Sequence, residues 1–354
     1  MQAEIEQPTK KQKVGRAARL YEFGQPLKVE DVPIPELGKN DALLRVRAAG
    51  ICHTDIHLSN GLVPLKMPVT LGHEIAGDVE AAGPEVQDFR KGDRAVVHFW
   101  SPCGNCRYCL EGRGMLCENL FTRPAYGSAT DGGYAQYCRV DADRLVRVPS
   151  EVSLEFAATL GCAGTTAYHA VKNTGQVKLA ENVGVYGIGG VGFYTLQLAK
   201  NSGAKVIAVG RNPDKLDMAE KLGADHVINS TTEKVGDEVR KATNGKGVDV
   251  MFDLVANDES VKNSTASLAN GGRLILLGIS TKPLPADPMQ FQLRELSIKG
   301  SFMGTKNELE AVVDLAKAGK IESVVTKRYT LDEVNQGIEA LGRGEILGRA
   351  YVSP

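Results

Sequence analysis

The sequence predicts an α/β protein in which a mostly β region is followed by a parallel sheet covered by helices on both faces. Three observations carry this. Between residues 182 and 277, short apolar segments alternate with amphipathic segments of helical period, the signature of a parallel sheet buried on both sides. Before residue 150, the segments 43–48, 74–80 and 94–98 read as short strands, separated by Pro33, Pro35, Gly38, Pro64, Pro68, Gly83 and Gly92. The length, 354 residues, corresponds to two domains at about 150 residues each.

Taken in order, residues 1–16 are polar and lysine-rich and read as a mobile tail, with Lys10-Lys11-Gln12-Lys13 a solvated run. Helices are expected over 154–160 and 165–173. Strands at 182–186, 205–209, 226–228, 248–254 and 273–277 alternate with helices at 191–200, 213–222, 235–243 and 260–268. Helices over 308–318 and 331–341 and a strand at 349–352 complete the chain, with no internal repeat. Hydrophobic residues make up 42% and charged residues 24%, ordinary for a globular protein. Lys+Arg is 42 against Asp+Glu 43, which lacks the positive excess of a nucleic-acid binder. No apolar run approaches the ~20 residues that span a bilayer, and the amino end has no apolar signal core. The expectation is a cytoplasmic protein without nucleic-acid or membrane partners.

Seven cysteines, an odd number, argue against a disulfide framework. Four follow the spacing Cys103-x2-Cys106-x2-Cys109-x7-Cys117. Such turns converge thiolates on one ion, and Zn²⁺ accepts four in a closed, structural tetrahedron. Gly104, Gly112 and Gly114 supply the turns. The competing reading is four unrelated thiols on a loop.

The predicted strand 182–186 runs into Gly187-Ile188-Gly189-Gly190-Val191-Gly192 and then into a helix. G-x-G-x-x-G in this context binds a dinucleotide. The first glycine permits the turn, the second admits the pyrophosphate, and the third lets helix and strand pack closely. The next strand ends at Gly210-Arg211, where an NAD site usually has an acidic residue for the adenine ribose. Gly210 leaves room and Arg211 offers charge-assisted bonds to a phosphate, so NADP(H) is expected over NAD(H). The competing reading makes Arg211 a solvated loop residue in an NAD site.

Three further stretches carry metal-ligand chemistry: Cys52-His53-Thr54-Asp55-Ile56-His57, Gly72-His73-Glu74, and Leu160-Gly161-Cys162-Ala163-Gly164. Alone, Cys162 reads as a small core residue and His73 as a hydrogen-bonded interior histidine. Together with Gly72-His73-Glu74-x2-Gly77-x5-Gly83-x2-Val86 they resemble the signature of zinc-containing medium-chain alcohol dehydrogenases. The four-cysteine loop and the phosphate loop fall in that family's order, and the resemblance covers 17–354. It implies a Rossmann-type sheet (163–302) inserted in a mostly β, GroES-like catalytic domain (1–162 and 303–354). Cys52, His73 and Cys162 would hold a catalytic Zn²⁺, with Glu74 as a transient ligand and Asp55 orienting the imidazole. Thr54 and His57 would form the proton path. His53 and Arg349 would lie against the cofactor pyrophosphate and Thr166 near the nicotinamide. Phe99 and Trp100 would line the substrate pocket. Cys103, Cys106, Cys109 and Cys117 would hold a second zinc, and Cys138 would be buried and inert. Two thiolates and a neutral imidazole cancel the charge of Zn²⁺ and leave one position open.

The implied reaction is reversible hydride transfer between a small alcohol and the cofactor, giving an aldehyde or ketone. The assembly would be a homotetramer, with a homodimer as alternative. Rival readings are an NAD-dependent enzyme, a polyol or sugar dehydrogenase of the same superfamily, and a zinc-loop nucleic-acid-binding module. The balanced charge speaks against the last of these.

Overall fold

The computed structural model describes residues 13–354, which form three sheets. Val14–Leu20 lies between Lys28–Pro33 and Val69–Thr70, antiparallel to both. The expected tail therefore ends earlier than 16: Val14, Gly15 and Arg16 are already paired. Its buried positions are Gly15, Ala17, Ala18 and Leu20, and residues that small leave little apolar alternation to read. Lys13 is exposed, and the rest of the lysine run lies outside the described residues.

The second sheet is built around Asp41–Gly50. This strand pairs antiparallel with Glu74–Ala82, with Tyr137–Asp141 and with Arg349–Ser353. Glu74–Ala82 continues to Arg94–Val97 and then Leu145–Arg147. On the other side, Arg349–Ser353 runs parallel to Val325–Thr330. The register has one consequence for the site. Gly50 is opposite both Glu74 and Tyr351, so the ends of three strands distant in sequence meet at one place.

The third sheet has six parallel strands, in chain order Asn182–Tyr186, Lys205–Gly210, His226–Asn229, Val248–Asp253, Leu268–Leu276 and Ser297–Gly300. Across the sheet they run third, second, first, fourth, fifth, sixth, so the order reverses beside the first strand, where ligands bind in open α/β sheets. Val183, Val185, Val206, Val209, Val250 and Phe252 are fully buried, as a sheet covered on both faces requires. The helix Gly190–Asn201 is buried on nearly every side rather than along one stripe. Its Phe193, Leu196 and Leu198 each contribute about 1.5–3 kcal/mol by leaving water. Two expected boundaries differ. The pause expected at Gly161–Gly164 is a wide π-helical turn, Leu160–Gly164, so Leu154–Thr159 and Thr165–His169 form one helical run. The helix expected from 331 begins with a 3-10 turn, Leu331–Glu333, before Val334–Gly342.

Helix Lys306–Lys317 is tied to that run by Glu308. The Thr305 amide donates to Glu308 Oε2 at 2.6 Å, and Glu308 accepts from His169 Nδ1 at 2.9 Å and from Asn173. Burial alone would raise its pKa, but the bonds from His169 and Thr305 outweigh burial and hold it below the usual glutamate value. A depressed carboxylate contributes stability above its unfolded pKa and loses it as pH falls through the folded value. Glu308→Gln is expected to cost about 1.5–3 kcal/mol at neutral pH. In thermal melts the gap to wild type should narrow as pH falls through the lowered folded pKa of Glu308, where protonation leaves both chains with a neutral side chain.

Candidate active site and metal centres

The strand ends that meet at Gly50 bring four potential ligands together. Cys52 follows Asp41–Gly50, His73 immediately precedes Glu74–Ala82 and Glu74 opens it, and Cys162 is presented by the wide helical turn. Their sulfur, nitrogen and carboxylate atoms lie within 4.8 Å of one another. His73 and Glu74 are completely buried. Both ring nitrogens of His73 and one Glu74 oxygen have no hydrogen-bond partner, a costly arrangement for polar groups sealed from water. The Cys52 thiol is pushed well down, first by a hydrogen bond from Cys162, and Cys162 is pushed up by the same contact. An orphaned imidazole beside two such sulfurs fits a thiophilic divalent ion such as Zn²⁺.

Asp55 stands behind this cluster, with Oδ1 3.4 Å from His73 Nδ1. Thr54 Oγ1 lies 3.7 Å from Cys52 Sγ, and Thr54 and His57 are three apart on helix His53–Ser59, hence neighbours on its surface. Arg349 is buried and its guanidinium bonds Glu74. Burial alone would lower its pKa, but Glu74 and the two cysteines keep it charged. Burial pushes Glu74 up to about 7, against the pull of Arg349.

The phosphate loop lies directly against this pair. Gly187 has φ +100°, and a Cβ on Gly192 would stand 2.3 Å from the Gly187 carbonyl, so both positions require glycine. A Cβ on Gly189 would meet nothing within 4 Å, leaving the backbone open where a pyrophosphate approaches. A Cβ on Gly190 would lie 2.1 Å from Arg349 Cδ. Val191 and Thr166 are half-buried, while His53 is exposed. His53 nevertheless titrates below the ordinary histidine value, first through partial loss of hydration and then through the positive charge of Arg349, His57 and Lys215, against the opposing pull of Cys52. Gly210 is buried at the end of its strand and Arg211 is exposed beside it. Lys215, one turn into the next helix, is pushed down by burial and then by Arg211.

An aromatic wall runs outward from His73. Phe99 lies tilted against the imidazole at 4.7 Å and against Trp100 at 5.8 Å. Trp100 meets Phe121 edge-on at 5.6 Å and Phe302 at 6.3 Å. Phe121 and Phe302 were missed in the sequence, because isolated phenylalanines in loops carry no periodic or motif signal. His98 was missed too. Buried behind Trp100, it faces the Trp100 carbonyl at 3.0 Å and the Gly304 carbonyl at 2.8 Å, joining the two halves of the wall.

Four of the remaining five cysteines also converge. Cys106 and Cys109 sulfurs are 3.5 Å apart, Cys103 and Cys109 3.9 Å. A zinc tetrahedron with ~2.3 Å bonds places its sulfurs about 3.8 Å apart, whereas a disulfide would need ~2.05 Å. Backbone amides of Cys103 and Asn119 point at Cys117 Sγ. Amides of Asn105 and Cys106 lower the Cys103 thiol to about 6. Cys138 stands apart, buried, with its thiol pushed up to about 12 by burial.

Comparison with known proteins agrees with this geometry. Residues 38–150 match the alcohol dehydrogenase GroES-like domain and residues 190–318 the zinc-binding dehydrogenase domain. An NAD-dependent alcohol dehydrogenase of Sulfurisphaera tokodaii is 35% identical over 350 residues, 96% of this chain and 100% of the relative. The alcohol dehydrogenase structure of Aeropyrum pernix superposes with TM-score 0.89 at 37% identity, covering 96% of this chain and 100% of that one. Acetophenone reductase of Geotrichum candidum, solved with NAD, superposes with TM-score 0.88 at 30% identity, covering 98% and 99%. A GroES-like domain joined to a Rossmann-type sheet, with two clusters of metal-ligand side chains, defines a zinc-binding dehydrogenase. This chain belongs to the zinc-containing medium-chain alcohol dehydrogenase family.

The contact between Gly190 and Arg349 is directly testable. Gly190→Ala should raise the KM for the nicotinamide cofactor roughly tenfold, from about 1–3 kcal/mol of overpacking, while bound metal stays at the wild-type level by elemental analysis. Unchanged cofactor affinity would detach this contact from nucleotide binding.

Proposed function

We propose that the chain is a zinc-dependent alcohol dehydrogenase and aldehyde reductase. It would interconvert an apolar or aromatic alcohol with its aldehyde or ketone. The observation that carries this reading is Arg349, whose guanidinium grips Glu74 inside the ligand cluster while its side chain presses on Gly190 of the phosphate loop. The ligand cluster and the dinucleotide loop are thereby adjacent.

Cys52, His73 and Cys162 are the residues suited to hold a catalytic zinc, with Glu74 within reach as a transient ligand. Cys103, Cys106, Cys109 and Cys117 are suited to a second, structural ion. When bound, the first ion supplies Lewis acidity toward the oxygen of the alcohol or carbonyl. Asp55 orients the His73 ring. A nicotinamide held at the phosphate loop would supply the acceptor or donor for hydride, so the proton of the alcohol hydroxyl has to leave by a separate path. Thr54 both accepts and donates a proton, and His57, one turn along the same helix, passes it toward solvent. The aromatic wall of Phe99, Trp100, Phe121 and Phe302 offers a sugar or polyol few hydrogen-bonding partners.

For the cofactor, the absence of an acidic residue at Gly210 and the presence of Arg211 and Lys215 support NADP(H). NAD(H) is the second reading, favoured by relatives named NAD-dependent.

Two experiments test these readings. Elemental analysis should find two zinc ions per chain. Cys52→Ala should keep one, bind cofactor and lose turnover of benzylic and aliphatic alcohols; substantial residual activity would overturn the assignment. Steady-state kinetics should give a higher kcat/KM with NADP than with NAD. Arg211→Ala should lower the NADP value roughly tenfold to a hundredfold, the equivalent of one charge-assisted hydrogen bond, and leave the NAD value nearly unchanged.

A further inference from the structure

Asp55 is completely buried, and its two oxygens are unequally employed. Oδ2 accepts from the Cys52 amide at 2.9 Å and from the Tyr134 hydroxyl at 2.9 Å. Oδ1 has no other partner and faces His73 Nδ1 at 3.4 Å. Tyr134 is likewise completely buried. It lies just ahead of strand Tyr137–Asp141, where the Tyr134 amide donates to the Leu71 carbonyl at 3.0 Å. Its ring covers Gly72, the residue before His73. Gly72 has φ +87°, and a Cβ there would stand 2.6 Å from Tyr134 Cδ1. One side chain therefore touches the backbone that presents His73 and the carboxylate that faces its ring.

We infer that Tyr134 is a positioning residue for the metal centre, its hydroxyl locking Asp55 in the orientation that directs Oδ1 at His73 Nδ1. A phenol donates one hydrogen bond and an ionised carboxylate only accepts. With Oδ2 occupied twice, Oδ1 is the acceptor left for the imidazole. A proton held at Nδ1 leaves the Nε2 lone pair for a metal ion. Partners behind a ligating histidine fix its tautomer and orientation, and their loss typically weakens metal binding about 10–100-fold. Without the hydroxyl, Asp55 retains only the Cys52 amide, and the carboxylate gains freedom to turn away from His73.

This inference rests on the reading that Cys52, His73 and Cys162 hold a metal ion, and the four-cysteine site serves as internal reference. Tyr134→Phe keeps the ring over Gly72 and removes only the hydroxyl. The holoenzyme is challenged with a chromophoric zinc chelator, and the two zinc-release phases are followed in wild type and variant. One phase should accelerate about tenfold in Tyr134→Phe, and the phase of the four-cysteine ion should stay at the wild-type rate. Unchanged release of both ions would overturn the inference. Equal acceleration of both would also overturn it, because a purely structural role predicts general loosening. Asp55→Asn supplies a second variant. Adding Tyr134→Phe to it should produce no further acceleration, since coupled residues are not additive; a full additional effect would show that Tyr134 does not act through Asp55. A wild-type chain that carries only one zinc would instead sink the underlying reading of the site.

Discussion

The site depends on the balance of charge in a place without water. Asp55, His73, Glu74 and Arg349 are buried within a small volume beside two cysteine sulfurs. Burying an ionised group costs several kcal/mol unless partners replace the lost hydration. Arg349 answers Glu74, and Tyr134 and the Cys52 amide answer one Asp55 oxygen. His73 Nε2, beside the two sulfurs, is left without such an answer, and a bound cation is the compensation this donor set fits. The same unpaired atoms that cost the protein stability are the ones able to grip an ion, a common relation between strained polar burial and function.

Arg349 gives this cluster its connection to the nucleotide. It belongs to the last strand of the chain, which returns to pair with Asp41–Gly50 after the parallel sheet is complete. Its methylene stem rests on Gly190 and its head on Glu74. The phosphate loop and the carboxylate beside the ligands therefore share one side chain as a common neighbour. The wall of Phe99, Trp100, Phe121 and Phe302 starts at the His73 ring, with His98 tying the Trp100 turn to Gly304. The phosphate loop and the aromatic wall thus both border the ligand cluster.

Local signals in the sequence were readable where function is local. The phosphate loop is six consecutive residues between a strand and a helix, so its turn, its open backbone at Gly189 and its close packing at Gly192 follow from composition alone. The four-cysteine loop is also confined to one short segment. The first strand was less legible because Gly15, Ala17 and Ala18 pack as small residues among arginines. Phe121, Phe302 and His98 were not legible at all: each acts through a neighbour brought from elsewhere in the chain, and none sits in a spacing that implies that neighbour. The wide turn carrying Cys162 was read as a gap because glycines at 161 and 164 normally interrupt a helix, whereas burial against the catalytic sheet keeps this one continuous.

The sequence by itself determined the alternation of strands and helices, the dinucleotide loop, the candidate ligands and the family they resemble, because each is written in neighbouring residues or in a recurring period. Only the tertiary structure decided which atoms share a site. The register that sets Gly50 opposite Glu74 and Tyr351 gathers Cys52, His73 and Arg349, and helix packing delivers Cys162 to the same point. Such convergence arises from pairing between strands tens to hundreds of residues apart, and no short-range pattern encodes it.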